Sequence, residues 1–291
     1  MKLLSVIVTY YPDPAVLLRG INSFIEEIDS LIIWDNTPIQ SCLADDENFE
    51  FLKNGKIQVL GTGENKGIGY ALNQGIKYAL ENNFDYLLTM DQDSYFDNRT
   101  FTHLKRAAVS LNKSLIAGFA PYVCIKNLTD KPTTLPGNNF SETHNPITSG
   151  TLYKVSLFQE TAFFRDDFFI DAIDTEYNLR VKRAGCCFFI EPKAWLLHEL
   201  GNIEMRKMIF RRIRCFNYSP MRCYYFARNH YLVCCEYPSI KRWFGYWKSF
   251  IFRNFSVVLF ESEKCKKVAA YFRGFWDGMR RRTGICDHYQ A

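Results

Sequence analysis

Four apolar runs constrain this chain more than any other feature. They are "LLSVIVTYY" (residues 3–11), "LIIWD" (31–35), "KIQVLG" (56–61) and "YLLTMD" (86–91). Each is short, and the first two are continuous in apolar, largely β-branched or long aliphatic residues, as in strands covered on both faces. Between them lie segments of helical period. Asp13-Pro14 reads as an N-cap followed by proline at the first helical position, and Leu17, Ile21, Phe24 and Ile28 follow at helical spacing. A Gly-rich loop, "GTGENKGIG", leads into a second helix with Ile68, Leu72, Ile76, Ala79 and Leu80 on one side. Strand, helix, strand in alternation predicts βαβ units on a mostly parallel sheet. Ligands of such sheets bind beyond the carboxyl ends of the strands, where Thr9, Asp35 and Asp91 fall.

At 291 residues the chain is long enough for one large domain or for a domain with an appendage. No apolar run approaches the ~20 residues of a spanning helix. The opening "MKLLSVIVTYYPDP" has one lysine and no small-residue cleavage site, so it reads as a buried strand, not a leader, and a cytoplasmic location is expected. The ten cysteines include the adjacent pairs Cys186-Cys187 and Cys234-Cys235, without zinc-type spacing; in a reducing compartment they are expected to be buried small apolar residues. Residues 127–145 are polar with two prolines and read as a loop. Farther on, Ile173, Tyr177, Val181 and Ala184 share a helical face that Gly185 terminates.

Two features suggest chemistry. In "LLTMDQDSYF", Asp91 and Asp93 flank Gln92 where a buried strand leaves the core. Residues two apart in a turn can face one ion, and hard carboxylate oxygens suit Mg2+ or Mn2+; the same pattern also serves as a plain solvated turn. The loop before the second helix brings glycines and a helix N-terminus together, a setting that favours anions. It lacks both the G-x-G-x-x-G and the Walker patterns, which leaves the dinucleotide and P-loop readings weak.

Taken together, "SVIVTYYPD", "IIWDNT", "ENKGIGYALNQGI", "LLTMDQDS", "FFIDAIDTEYNLRVKRAG" and "HELG" resemble the family-2 glycosyltransferases of the GT-A fold, most closely their bacterial rhamnosyltransferase-like branch. These segments run through residues 3–201 in the family's order, and "YYFARNHYLV" and "YFRGFWDGMRRRTG" extend the likeness into the tail. The resemblance implies an α/β GT-A nucleotide-diphospho-sugar transferase domain at 1–204 and a basic, aromatic helical appendage at 205–291. It also implies roles. Thr9 and Tyr10 lie beside the nucleotide, Asp35 recognises base or ribose, and Asn65 and Lys66 head the loop next to it. Asp91 touches the nucleotide sugar and, with Asp93 and His198, holds the metal. Thr148, Ser149 and Gly150 form a loop under sugar and acceptor. Asp174 matches the catalytic base, with Asp171 one turn earlier as orienting group or substitute. Many relatives carry Glu-Asp where this chain has Ile173-Asp174, so both aspartates stay candidates. Read without the family, Asp174 is an ordinary helix N-cap and His198 a satisfied core histidine.

The activity implied is an inverting transfer. A carboxylate takes the acceptor hydroxyl proton, the oxygen attacks the anomeric carbon from the face opposite the nucleotide, and a divalent metal stabilises the departing diphosphate. The branch suggests L-rhamnose from dTDP-rhamnose, placed on a lipid-linked or growing cell-surface polysaccharide such as O-antigen. A nucleotidyltransferase would carry a Gly-rich basic loop after the first strand, which "VTYYPDPAVLL" lacks. A non-catalytic nucleotide-sugar-binding scaffold would not need all of Asp91, Asp93, Asp174 and His198. The net charge is +5, and the basic residues gather after about Lys182. The tail carries no nucleic-acid-binding pattern, so no nucleic acid partner is expected. "KRWFGYWKSFIFRNF" mixes cations with aromatics as interfacial segments do. The tail is expected to hold the protein peripherally on an anionic membrane surface, the cytoplasmic face of the inner membrane, or else to be a helical appendage with solvated charges.

Overall fold

The computed structural model describes residues 1–38, 43, 47–111, 115–125, 140–198, 203–208 and 211–289. Most of the loop expected at 127–145, and "ELG" of "HELG", lie outside the described residues. The chain divides into two compact units: Met1–Phe164 with Tyr177–Glu199, and Arg165–Glu176 with Leu200–Ala291.

The first unit is built on a nine-stranded sheet: β1 (Leu3–Thr9), β2 (Ser30–Asp35), β3 (Ile57–Gly61), β4 (Tyr86–Asp91), β5 (Tyr95–Phe96), β6 (Ile116–Ile125), β7 (Ser141–Thr143), β8 (Leu152–Lys154) and β9 (Cys187–His198). The order is β3-β2-β1-β4-β8-β6-β9-β5, with β7 also on β9. The four apolar runs form the parallel half, β3-β2-β1-β4. Strands β6 and β9 are parallel too, whereas the antiparallel ladders are only two or three residue pairs long. By paired length the sheet is mostly parallel. β1 and β4 are buried almost throughout, which is why their sequences run apolar without alternation.

Helices α1 (Pro14–Asn22), α2 (Ile68–Glu81), α3 (Phe101–Ser110) and α4 (Leu157–Thr161) belong to this unit. The α1 start is as read: Asp13 Oδ1 accepts from the Val16 amide at 3.0 Å and Pro14 follows. Its end is earlier than the spacing through Ile28 predicts. Ser23 donates both its amide and its hydroxyl to the Gly20 carbonyl, and a 3-10 turn at Ile25–Glu27 takes over. Phe24 and Ile28 are nonetheless buried, so the apolar pattern reported burial correctly and continuity wrongly. On α2, the buried Asn73 exchanges two hydrogen bonds with the Phe164 backbone, at 2.9 and 3.0 Å.

In the second unit, a hairpin of β10 (Glu204–Met208) and β11 (Arg211–Cys215) precedes helices α6 (Pro220–Glu236), α7 (Ile240–Phe260) and α8 (Lys264–Met279). The intervening helix α5 (Ile173–Arg183) gives its first turn to the second unit and the rest to the first. Helices α6 and α8 pack with almost no room between them: a Cβ on Gly274 would stand 2.1 Å from the Tyr224 carbonyl oxygen. A buried ion pair joins Lys267 to Glu261 at 3.0 Å, and the other Glu261 oxygen takes the Phe216 amide. Of the adjacent cysteine pairs, Cys186 and Cys234 are buried and Cys187 and Cys235 half-buried, all as free thiols.

Candidate active-site residues

In the first unit, the ends of three neighbouring parallel strands carry the polar groups. Strand β1 ends at Thr9, whose hydroxyl lies 3.2 Å from Asp35 Oδ1 at the end of β2. Asp35 is buried. Its Oδ1 also accepts from the Thr37 amide at 2.9 Å and its Oδ2 from the Leu43 amide at 3.1 Å. The carboxylate therefore organises the turn after β2, and each oxygen has two acceptor sites to share.

Asp91 closes β4 and Asp93 sits in the turn that follows. Gln92, between them, points elsewhere. Its side-chain oxygen accepts from the Tyr10 amide at 2.7 Å and its nitrogen donates to the Tyr10 carbonyl at 3.2 Å. This two-bond clip fastens the acidic turn to the end of β1, and the turn itself is closed by the Ser94 amide on the Asp91 carbonyl at 3.3 Å. Beyond the turn, β5 pairs antiparallel with β9, Tyr95 opposite Leu197. That register sets His198 against Ser94, whose hydroxyl is hydrogen-bonded to His198 Nδ1 at 2.8 Å. Asp91, Asp93 and His198 consequently converge, their candidate ligand atoms all within 4.8 Å of one another and half-buried. His198 Nδ1 lies 3.8 Å from Asp91 Oδ2. Two carboxylates and an imidazole, drawn this close with a hydroxyl orienting the ring, fit a hard divalent cation.

At the same strand end the Ser149 hydroxyl oxygen accepts from the Asp91 amide at 3.1 Å. Thr148 and Gly150 bracket it: the Thr148 carbonyl accepts from the Thr89 hydroxyl, and the Gly150 amide donates to the Thr89 carbonyl at 2.8 Å. Gly150 has φ +79°, and a Cβ there would meet Leu196 Cδ2 at 2.8 Å and Pro121 Cγ at 2.9 Å. Both backbone angle and space demand glycine. Asn65 accepts from the Gly67 amide at 3.0 Å, and Lys66 pairs with Glu64. These two organise their own loop, which the Asn36 side chain joins to the end of β2 through the Gly67 carbonyl, 3.3 Å away.

Asp171 and Asp174 belong to the second unit. The segment leading to them holds three non-glycine residues at positive φ: Phe169 (64°), Asp171 (71°) and Ala172 (61°). Each such residue costs about 1–3 kcal/mol and persists only where its surroundings over-determine it. Helix α6 supplies those surroundings. The Asn229 side-chain nitrogen donates toward the carbonyls of Phe168, Ile170 and Asp171 at 2.8, 2.8 and 3.1 Å. Arg228 donates to the carbonyls of Gly284 at 2.6 Å and Asp167 at 3.0 Å, and to the Asn229 side-chain oxygen at 2.9 Å. Both residues are buried. Phe169 stacks on Tyr225 with ring centroids 5.0 Å apart.

The environments of the two aspartates diverge. Burial raises Asp171, but His230, 3.3 Å away, together with Arg222 and Arg253, outweighs it and holds the carboxyl below the ordinary aspartate range. Burial lifts Asp174 above that range, and the negative charge of Asp171 adds to the lift against the Thr175 bonds and His230. Asp174 Oδ1 accepts from the Thr175 amide at 2.7 Å, a bond to its own neighbour and not the reach across two or three residues of a helix N-cap. Paired acids pushed apart in this way divide into an ionised holder and a more basic partner. Gln92, Ser94, Arg228, Asn229 and His230 were not singled out in the sequence. For the α6 group a signal existed: "ARNH" interrupts a buried run, and buried polar groups need partners.

A family model described as glycosyl transferase family 2 matches residues 5–171. The dTDP-rhamnosyl transferase RfbF of Shigella flexneri is 28% identical over 248 residues, 79% of this chain and 78% of that one. Among solved structures, GalNAc-T7 with UDP, GalNAc and Mn2+ is similar with TM-score 0.60 and 13% identity, over 96% of this chain and 56% of that one. S. aureus TarS 1-349 in complex with UDP-GlcNAc gives TM-score 0.54 and 13% identity, over 97% and 93%. At such identities the structural likeness speaks for the fold, which is GT-A.

Proposed function

The chain belongs to glycosyl transferase family 2, and from that premise we propose that it transfers L-rhamnose from dTDP-L-rhamnose, with inversion, onto a lipid-linked or growing cell-surface polysaccharide such as O-antigen. The observation that carries the reading is the convergence of Asp91, Asp93 and His198 at the ligand-binding end of a parallel sheet. The choice of sugar is supported by the name of the 28% identical Shigella protein.

In this scheme Thr9, Tyr10, Asp35, Asn65 and Lys66 hold the nucleotide, and Asp91 reaches the diphosphate. Asp91, Asp93 and His198 hold Mg2+ or Mn2+, which supplies positive charge to neutralise the leaving diphosphate. Thr148, Ser149 and Gly150 support sugar and acceptor. Asp174 accepts the proton of the attacking acceptor hydroxyl. Its raised basicity suits it to that transfer, whereas Asp171, held by cations, orients and does not take the proton. One base and one displacement from the opposite face invert the anomeric carbon. No helix among the described residues is long and apolar enough to cross a membrane. The protein works peripherally, at the anionic cytoplasmic face of the inner membrane where lipid-linked acceptors are presented, and residues 1–204 and 205–291 divide catalysis from attachment.

The test is a panel of nucleotide sugars with a lipid-linked glycan acceptor, with and without Mg2+ or Mn2+, the product linkage read by NMR. Metal-dependent rhamnosyl transfer with inverted configuration is expected. Undiminished turnover in excess EDTA would remove the metal from the scheme, and transfer only from another donor would remove rhamnose.

A further inference from the structure

Helix α7 turns apolar side chains outward. Ile240 is 91% exposed, Phe244 69%, Ile251 64% and Val258 52%. With Trp247 and Phe255, also exposed, they recur every three or four residues and so form one stripe. The opposite face is already occupied: Tyr246, Phe250 and Val257 are buried in the core of the second unit. The outward stripe is thus surplus to folding. Helix α8 continues it with exposed Phe272, Trp276 and Met279. Ring contacts of 5.3 Å between Trp247 and Phe275, and 5.6 Å between Phe250 and Phe272, make the two helices neighbours.

The exposed charges on the two helices have one sign, and Glu263, exposed at the start of α8, is paired with Lys266 at 3.0 Å. Helix α7 contains no acidic residue, and Lys241 and Lys248 are exposed on it. The single acid of α8, Asp277, is buried, accepting from the Tyr224 hydroxyl at 2.9 Å and pairing with Arg282. Arg273 and Arg280 are exposed on α8, the latter 4.6 Å above the Trp276 ring. At the start of α7, Pro238, Ile240, Trp243, Phe244 and Trp247 line an open apolar recess of about 530 Å³.

We infer that the α7–α8 face is a bilayer seat. Both helices lie in the plane of the headgroups, their aromatic and aliphatic side chains enter the acyl boundary, the four cations meet anionic headgroups, and the recess at Ile240 takes the end of an acyl chain. At ~1.5 Å per residue, α7 offers about 31 Å of such surface. An in-plane helix with an apolar stripe, flanking cations and tryptophans has the chemistry of an interface and not of a crossing. The main competitor, a second copy of this chain, is disfavoured by charge: two such faces apposed would set lysines and arginines against lysines and arginines with no exposed acid from either helix to offset them. The inference rests on the membrane-surface part of the proposed function and names the surface responsible.

The full-length protein is tested by flotation with phosphatidylcholine vesicles and with vesicles containing about one-third phosphatidylglycerol, and by tryptophan emission. Wild type is expected to float with the anionic vesicles, with a blue-shifted emission, and less so at high salt. Phe244→Ser/Ile251→Ser alters only exposed side chains and should weaken binding about tenfold or more, while keeping the melting temperature and donor hydrolysis of wild type. Lys241→Glu/Lys248→Glu should lose the preference for anionic lipid. Binding by the Phe244→Ser/Ile251→Ser variant equal to wild type, or no vesicle binding by wild type, would overturn the seat. So would a wild-type dimer in light scattering that this variant converts to monomer. Vesicle binding as expected from a protein that turns over no nucleotide sugar would uphold the seat and sink the transferase reading instead.

Discussion

Asp91 and Asp93 are held on an unstrained backbone at the end of a sheet, and Asp171 and Asp174 follow a bend whose backbone is strained. The first pair rides on a buried strand. Gln92, between them, clips the turn to Tyr10, and Ser94, one residue on, meets His198 through the β5–β9 register. No positive φ occurs from Asp91 to Ser94. The second pair follows a backbone with three residues at positive φ, tied down by Asn229 from 58 to 61 positions farther along the chain. A sheet positions a ligand set through its regular spacing. A strained bend positions an acid only as long as a remote clamp holds it, and in return gives it burial and a chosen neighbour, the two conditions that make Asp174 more basic than an ordinary aspartate.

Removing the base should have the largest effect. Asp174→Asn keeps shape but cannot accept the proton, so kcat should fall about 10²–10⁴-fold with donor affinity retained by calorimetry. Normal turnover in Asp174→Asn together with a dead Asp171→Asn would reverse the two roles. In the first unit, Asp93→Ala and His198→Ala should each cost about 10³-fold, the several kcal/mol expected of a lost metal site. Mn2+ binding followed by EPR should weaken in both, with the fold intact by circular dichroism. Retained Mn2+ affinity would show that these residues do something else.

The clamp is the next test. Asn229→Leu strands backbone carbonyls in the interior, which should lower unfolding free energy by about 2–3 kcal/mol and reduce kcat as the bend relaxes. The matching change at the other turn, Gln92→Leu, leaves a half-exposed site on an unstrained backbone and should cost about 1 kcal/mol or less. Equal losses in chemical denaturation would erase the contrast between the units.

The smallest effects are shifts of pH profile, and their signs are opposite. Asp174 must be ionised to act, so the acid limb of kcat/KM should lie above the ordinary aspartate range. Asp171→Asn removes the negative charge that raises Asp174 and should move the limb to lower pH. His230→Gln removes a positive charge that lowers it and should move the limb to higher pH. Stability follows the same linkage. The native state holds the Asp174 proton more tightly than the unfolded chain, so this group's contribution declines as pH rises from the unfolded pKa to the folded one. Asp171, depressed in the native state, stabilises above its unfolded pKa, and that contribution is lost as pH falls through the folded value. Limbs that move together in the two variants would contradict this assignment.

The same contrast governs what could be read beforehand. The βαβ half was legible because burial on both faces writes continuous apolar runs at 3–11, 31–35 and 86–91. The Asp91–Asp93 pair was legible because it interrupts one of them. His198 was visible only through the family's pattern, since its place depends on a two-residue ladder, Tyr95–Phe96 on β9, too short to leave a periodic signature. The α1 terminus was misplaced because Phe24 and Ile28 are buried from a 3-10 turn as readily as from a helix. Nothing local in "FFIDAID" announces positive φ at Phe169, Asp171 or Ala172; those angles are imposed by partners at 228 and 229, and pairwise distance in sequence hides them.

The Asn229 bonds also set an order of assembly during synthesis. A ribosome adds about 5–20 residues per second, so Asp171 is made some 3–12 s before the asparagine that will hold its backbone, and Arg228 then waits about as long again for the Gly284 carbonyl it binds. The strands that gather Asp91, Asp93 and His198 are complete by residue 198. A nascent chain can therefore bring Asp91, Asp93 and His198 together before the bend at 169–172 has the partners that hold it.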